Sequence, residues 1–278
     1  MTAMIKRAKC LIALICCCIL CTAQVKESNA AILMVHFGTS EAQGREKSLE
    51  AINASVKSAF PDMEVRQAYS SGVVRNILRK QGLAFQSPLE ALMQLCAEGY
   101  QKVYVQSTTL MEGIEMRTIR EAAASVSQFF EELKVGNPLL YSQDDCHRVL
   151  DILTQETLEK SQNAILIGHG TSHPSTATYA MLQMMLDEKG LTNWQVATIE
   201  GYPTQTMVVE KLRYKKPRKV LLVPLLLTAG DHARNDIAVE WKDYFEQQGY
   251  NVSVLLRGIG EIKAIRDIYI SHIRDLMR

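Results

Sequence analysis

The chain is 278 residues long, with 47% hydrophobic and 22% charged residues. That balance can bury a sizeable core and excludes a disordered, collagenous or coiled-coil chain. Its 31 basic and 30 acidic side chains leave a formal charge of +1, too weak a field to point to a nucleic-acid partner.

At about 150 residues per domain the length suggests roughly two domains, and the first elements in chain order lie outside both. Lys6, Arg7 and Lys9 precede an apolar run over residues 10–21, and Cys21-Thr22-Ala23 has the small-x-small spacing of a signal-peptidase site. Roughly a dozen apolar residues are too few for a stable span, which needs about 20. Residues 1–23 are therefore expected to be a secretory signal, with a cut as late as residue 30 as the alternative. The expected mature protein is exported, periplasmic and without a stable membrane span. Losing Lys6, Arg7 and Lys9 would take its formal charge from +1 to −2. Five of the seven cysteines fall in this segment, so Cys96 and Cys146 alone make no disulfide framework. Cys96, on the apolar stripe of an expected helix, reads as a buried free thiol.

From residue 31 the pattern is regular. Apolar runs at 31–37, 64–69, 102–108, 164–168, 194–199, 219–226 and 251–256 predict buried strands, with a weaker one at 138–141. Between them, Leu49, Ile52, Val56 and Phe60 recur at helical spacing, and Ser87-Pro88-Leu89-Glu90 is a capping box with proline at the first helical position. Residues 114–134 and 261–278 predict long amphipathic helices. The expected fold is α/β: two similar lobes, 31–143 and 144–278, each a four-stranded parallel sheet flanked by helices. Three matches in the same order support the duplication. The segment at residues 31–40 resembles 164–172 with a one-residue gap; 65–70 falls opposite 196–201; and Gly113 and Arg117 match Gly230 and Arg234. No Pro- or Gly-rich linker separates the lobes, so they should pack closely.

Ligands in open α/β sheets bind beyond the carboxyl ends of the strands. In the second lobe three such ends carry donors: His169, Glu200 and His232, spaced 31 and 32 residues apart, about one strand-crossover-strand unit each. All three should face one crevice. Two imidazoles and a carboxylate suit a divalent first-row metal. A carboxylate directly after a buried strand is costly unless paired or ligating, which singles out Glu200. The repeat places His36, Tyr69 and Glu115 opposite the three, leaving His36 a packing or substrate-wall role. His173 is a candidate support for the site, whereas His147 and His272 read as surface residues. Nucleotide fingerprints, an HExxH zinc motif and a Gly-x-Ser-x-Gly elbow are all absent.

Residues 169–174 (HGTSHP), 199–203 (IEGYP) and 224–236 (PLLLTAGDHARND), with the opening VHFGTS at 35–40, resemble the anaerobic cobalt chelatases of the CbiK type. The resemblance covers about residues 31–275. It implies the two-lobed chelatase fold and a lyase that inserts Co²⁺ into sirohydrochlorin in cobalamin biosynthesis. It also implies His169 as catalytic proton acceptor and metal ligand, with Glu200 and His232 as the other metal ligands. No cofactor beyond the substrate metal is implied; the partners are the tetrapyrrole and the divalent ion, and a homo-oligomer is compatible with the sequence. Because sirohydrochlorin is a polycarboxylate, basic residues are expected at the cleft rim, with Arg117 and Arg234 as candidates. The alternatives are a ferro- or nickel-chelatase (Fe²⁺ or Ni²⁺) on a related tetrapyrrole, and a non-enzymatic exported haem- or cobalt-binding protein.

Overall fold

The computed structural model describes residues 29–155, 162–215 and 218–278, so the expected signal at 1–23 lies outside the described residues. Its eight strands are β1 (Ala30–His36), β2 (Glu64–Tyr69), β3 (Lys102–Ser107), β4 (Glu132–Val135), β5 (Gln162–Gly168), β6 (Trp194–Thr198), β7 (Lys219–Leu225) and β8 (Asn251–Val254). They form two four-stranded sheets of identical topology, β2-β1-β3-β4 and β6-β5-β7-β8, parallel throughout. The main helices are α1 (Ala51–Ala59), α2 (Gly72–Lys80), α3 (Pro88–Ala97), α4 (Ile114–Val126), α5 (Gln143–Leu153), α6 (Ala177–Glu188), α7 (Gln205–Lys215), α8 (Lys242–Gln247) and α9 (Lys263–Leu276). Among the described residues no helix is long and apolar enough to cross a membrane.

The central strands are apolar on both faces because each face meets a different core. In β1, Ala31, Leu33 and Val35 pack outward with residues of α3 and α4, while Ile32 and Met34 face the second lobe. In β5, Ile165 and Ile167 pack against α7 and α8, while Ala164 and Leu166 join Ile32 and Met34 in one core that runs between the lobes. At roughly 1.5–3 kcal/mol per fully buried aliphatic side chain, that shared core couples the lobes strongly. The last helix reinforces it by returning to the first lobe. On α9, Tyr269 Oη donates to Thr108 O at 3.0 Å and Arg266 Nε to Ser55 Oγ at 2.9 Å.

The capping box is complete: Glu90 N–H donates to Ser87 Oγ and Ser87 N–H to Glu90 Oε2, at 3.2 and 2.7 Å. Two expected elements are corrected. The helix at 114–134 ends at Val126 and gives way to strand β4, an edge strand whose four residues are all half-buried. Its Glu132 and Lys134, two residues apart and so on one face of the strand, pair at 2.7 Å. Residues 138–141 are not a strand. Leu139 and Leu140 are buried in a connection whose N–H groups donate to Thr109 O and Leu110 O. Both described cysteines are free; Cys146 is fully buried, whereas Cys96 is only partly buried.

Candidate active site

The carboxyl ends of both sheets open onto one cleft of about 560 Å³, and His169, Glu200 and His232 all line it. His169 follows β5 and is half-buried; Glu200, two residues past β6, is exposed. The His169 and His232 rings stand edge to face with centroids 4.6 Å apart. Glu200 is tied to His169 through the backbone, its N–H donating to His169 O at 2.8 Å. Among the described residues no three His, Cys, Asp or Glu side chains are grouped closely enough to hold a metal as they stand. Gathering the three donors on one ion therefore calls for side-chain rotation, which the exposure of Glu200 and His232 permits.

Three neighbours shape these donors. Asp236 Oδ2 accepts from His232 Nδ1 at 2.6 Å, which leaves Nε2 as the free donor atom. Gly170 has φ +90°, and a Cβ there would lie 1.5 Å from Glu200 O, so only glycine lets the β5 and β6 turns meet. Tyr179 packs its ring where a Cβ of Gly168 would sit and accepts from Gly170 N–H at 3.2 Å. Burial pushes its phenol pKa up. The sequence did not reveal Asp236 or Tyr179 as site neighbours. Their only trace was the Asp four residues beyond His232 and the small-residue pair around His169.

Backbone hydrogen bonds fix how the lobes correspond. Ser70 N–H to His36 O and Ser71 N–H to Phe37 O repeat Ile199 N–H to Gly168 O and Glu200 N–H to His169 O. The counterparts of His169 and Glu200 are thus Phe37 and Ser71, not His36 and Tyr69, and the match needs no gap. Glu115 does correspond to His232: Arg117 N–H to Gly113 O repeats Arg234 N–H to Gly230 O. His36 is fully buried. Asn53 Nδ2 donates to Gln67 Oε1, so Asn53 Oδ1 is left to accept from His36 Nε2 at 3.0 Å, and Nδ1 meets Thr108 Oγ1 at 2.9 Å. Burial lowers this imidazole pKa from 6.5 to about 4, against the bond to Asn53, which raises it. Its role is packing, not a substrate wall.

Other expectations are corrected. Neither Arg117 nor Arg234 lines the cleft. Arg117 points to Glu121, 3.8 Å away, while Arg234 ties the lobes together through Gln43 Oε1 at 2.7 Å. His173 accepts from Ser175 N–H at 3.1 Å and caps its own short helix instead of supporting the site. His272 is mostly buried, with Nε2 3.1 Å from Asp145 Oδ1. His147 is partly buried.

With the geometry in place, comparison with known proteins is decisive. The family model "Cobalt chelatase (CbiK)" matches residues 30–278. The chain belongs to this family. It is 33% identical to the sirohydrochlorin cobaltochelatase of Salmonella typhimurium strain LT2, over 89% of this chain and 96% of that one. It is 28% identical to sirohydrochlorin cobaltochelatase CbiKC of Nitratidesulfovibrio vulgaris Hildenborough, over 88% and 90%. Among solved structures, SirB from Bacillus subtilis with Fe³⁺ superposes with a TM-score of 0.65 at 15% identity, covering 89% of this chain and 95% of that one. At that identity the match shows the chelatase fold.

Proposed function

We infer that this chain inserts Co²⁺ into sirohydrochlorin, releasing two pyrrole protons. The observation that carries the reading is that a cobalt chelatase family match over residues 30–278 coincides with a cleft that brings two imidazoles within 4.6 Å of each other. Metallation needs a proton acceptor, a place where the ion can exchange water for protein donors, and a wall against which the macrocycle can bend. His169, half-buried at the end of β5, is assigned the proton acceptor and one metal ligand. Glu200 and His232 are assigned the remaining ligands, with Asp236 orienting His232 through Nδ1. A His₂Glu set does not by itself choose between Co²⁺, Ni²⁺ and Fe²⁺; the choice of Co²⁺ rests on the relatives. Export is part of the proposal, supported by the basic and apolar residues upstream of the family match, and intact-mass measurement from the native host tests it.

The roles are tested by His169→Ala at saturating Co²⁺. A residue that is both ligand and proton acceptor cannot be rescued by more metal, so insertion should be abolished while the circular dichroism spectrum is retained. Near-normal turnover in this variant would place the base elsewhere.

A further inference from the structure

The substrate assigned above carries many carboxylates, yet no lysine or arginine lines the cleft among the described residues. Glu112, Glu115, Glu200 and Asp231 do line it, and Arg120 is engaged by Glu112 in a two-bond pair at 2.6 Å. What the lining itself offers an acidic periphery is hydroxyls and backbone N–H groups.

The two lobes place the same turn at the same point. Gly38-Thr39-Ser40 follows β1 and Gly170-Thr171-Ser172 follows β5, and all six residues line the cleft. Both glycines have positive φ, +100° and +90°. Both threonine hydroxyls are tied into the turn, each accepting from the N–H two residues on (Glu41 at 3.2 Å, His173 at 3.1 Å). By contrast, the Ser40 and Ser172 hydroxyls have no hydrogen-bond partner among the described residues. The same holds for the N–H groups of Thr39, Ser40, Thr171 and Ser172. Successive free N–H groups beside a hydroxyl form a concavity suited to an oxyanion.

We propose that these paired Gly-Thr-Ser turns hold two carboxylate side chains of the tetrapyrrole, one from each lobe, through Ser40, Ser172 and the adjoining backbone N–H groups. They are specificity-determining residues, and their position on the first strand of each lobe would centre the macrocycle between the lobes. The proposal rests on the reading of the substrate as a polycarboxylate tetrapyrrole.

The test uses the whole protein, Ser40→Ala, Ser172→Ala, the double variant and the hydroxyl-preserving Ser172→Thr. Binding of sirohydrochlorin and of its methyl ester is measured beside the kinetics of Co²⁺ insertion. A hydrogen bond to a charged group implies that each alanine raises KM about tenfold and lowers the acid-over-ester preference by a similar factor, with kcat within about twofold. Ser172→Thr should recover most of the loss. Wild-type KM should change less than about twofold between roughly 50 and 500 mM salt, because no side-chain cation is screened. A steep rise of KM with salt, or a double variant that still distinguishes acid from ester as the wild type does, would overturn the proposal. A wild type that binds sirohydrochlorin but inserts no cobalt would overturn the functional reading and leave the binding arm to decide this one. A wild type that binds neither form would overturn both.

Discussion

Gly170→Ala is the sharpest single perturbation of the site, because the structure predicts a clash with backbone and not with a yielding side chain. The added Cβ would lie 1.5 Å from Glu200 O and 2.5 Å from Glu200 C, where ordinary contact begins at 3.4 Å, so the β5 and β6 turns must part by about 2 Å. That separation acts on the backbone bond joining His169 to Glu200. A misplacement of about 1 Å can cost a hundredfold in rate, so kcat/KM for cobalt insertion should fall at least about a hundredfold. Gly190→Ala is the control. It has φ +72° but nothing within 4 Å of its Cβ, so it bears only the left-handed strain of about 1–2 kcal/mol. Both variants should melt a few degrees lower, Gly170→Ala by more, and only Gly170→Ala should lose activity. Steady-state insertion kinetics and thermal unfolding of the two proteins decide it. Equal activity in the two variants would refute the claim that the meeting of these turns positions the donors.

Other expectations follow from the same geometry. His36 has a folded pKa of about 4 against an ordinary 6.5, so between those values the unfolded chain binds a proton that the folded one does not. Stability should therefore fall as pH drops from 6.5 towards 4, by about 3 kcal/mol in all, and urea unfolding of His36→Gln should lack that component of the slope. Asp236→Ala frees His232 Nδ1 and should weaken Co²⁺ binding about ten- to a hundredfold in a titration, with Asp236→Asn recovering part of it by keeping an acceptor. Equal loss in both would show that charge, not orientation of the ring, is what Asp236 supplies.

Seven of the eight described strands were legible, the inner strands β1 and β5 most plainly, because a parallel strand covered on both faces is a continuous apolar run. β4 was not, since an edge strand of sequence ELKV buries too little to break the pattern of the helix before it. That His169, Glu200 and His232 line one cleft was legible because each follows a strand end, and strand ends in this topology share one side of the sheets. The first-lobe counterparts were misplaced because the histidines 36 and 169 invite a match by identity, whereas the hydrogen-bond register equates Phe37 with His169. Arg234 was misassigned because its partner Gln43 is 191 residues away, and His272 because Asp145, which meets it, lies on another helix. Such contacts are made by tertiary packing and leave no local signature.

Metal insertion itself is read out by an anaerobic assay of the purified protein with sirohydrochlorin and Co²⁺, Ni²⁺ or Fe²⁺ in turn, following the absorbance change on metallation. The expected result is insertion of Co²⁺ well above the uncatalysed rate, lost in His169→Ala. Tight binding of sirohydrochlorin with no acceleration by the wild type for Co²⁺ would contradict it.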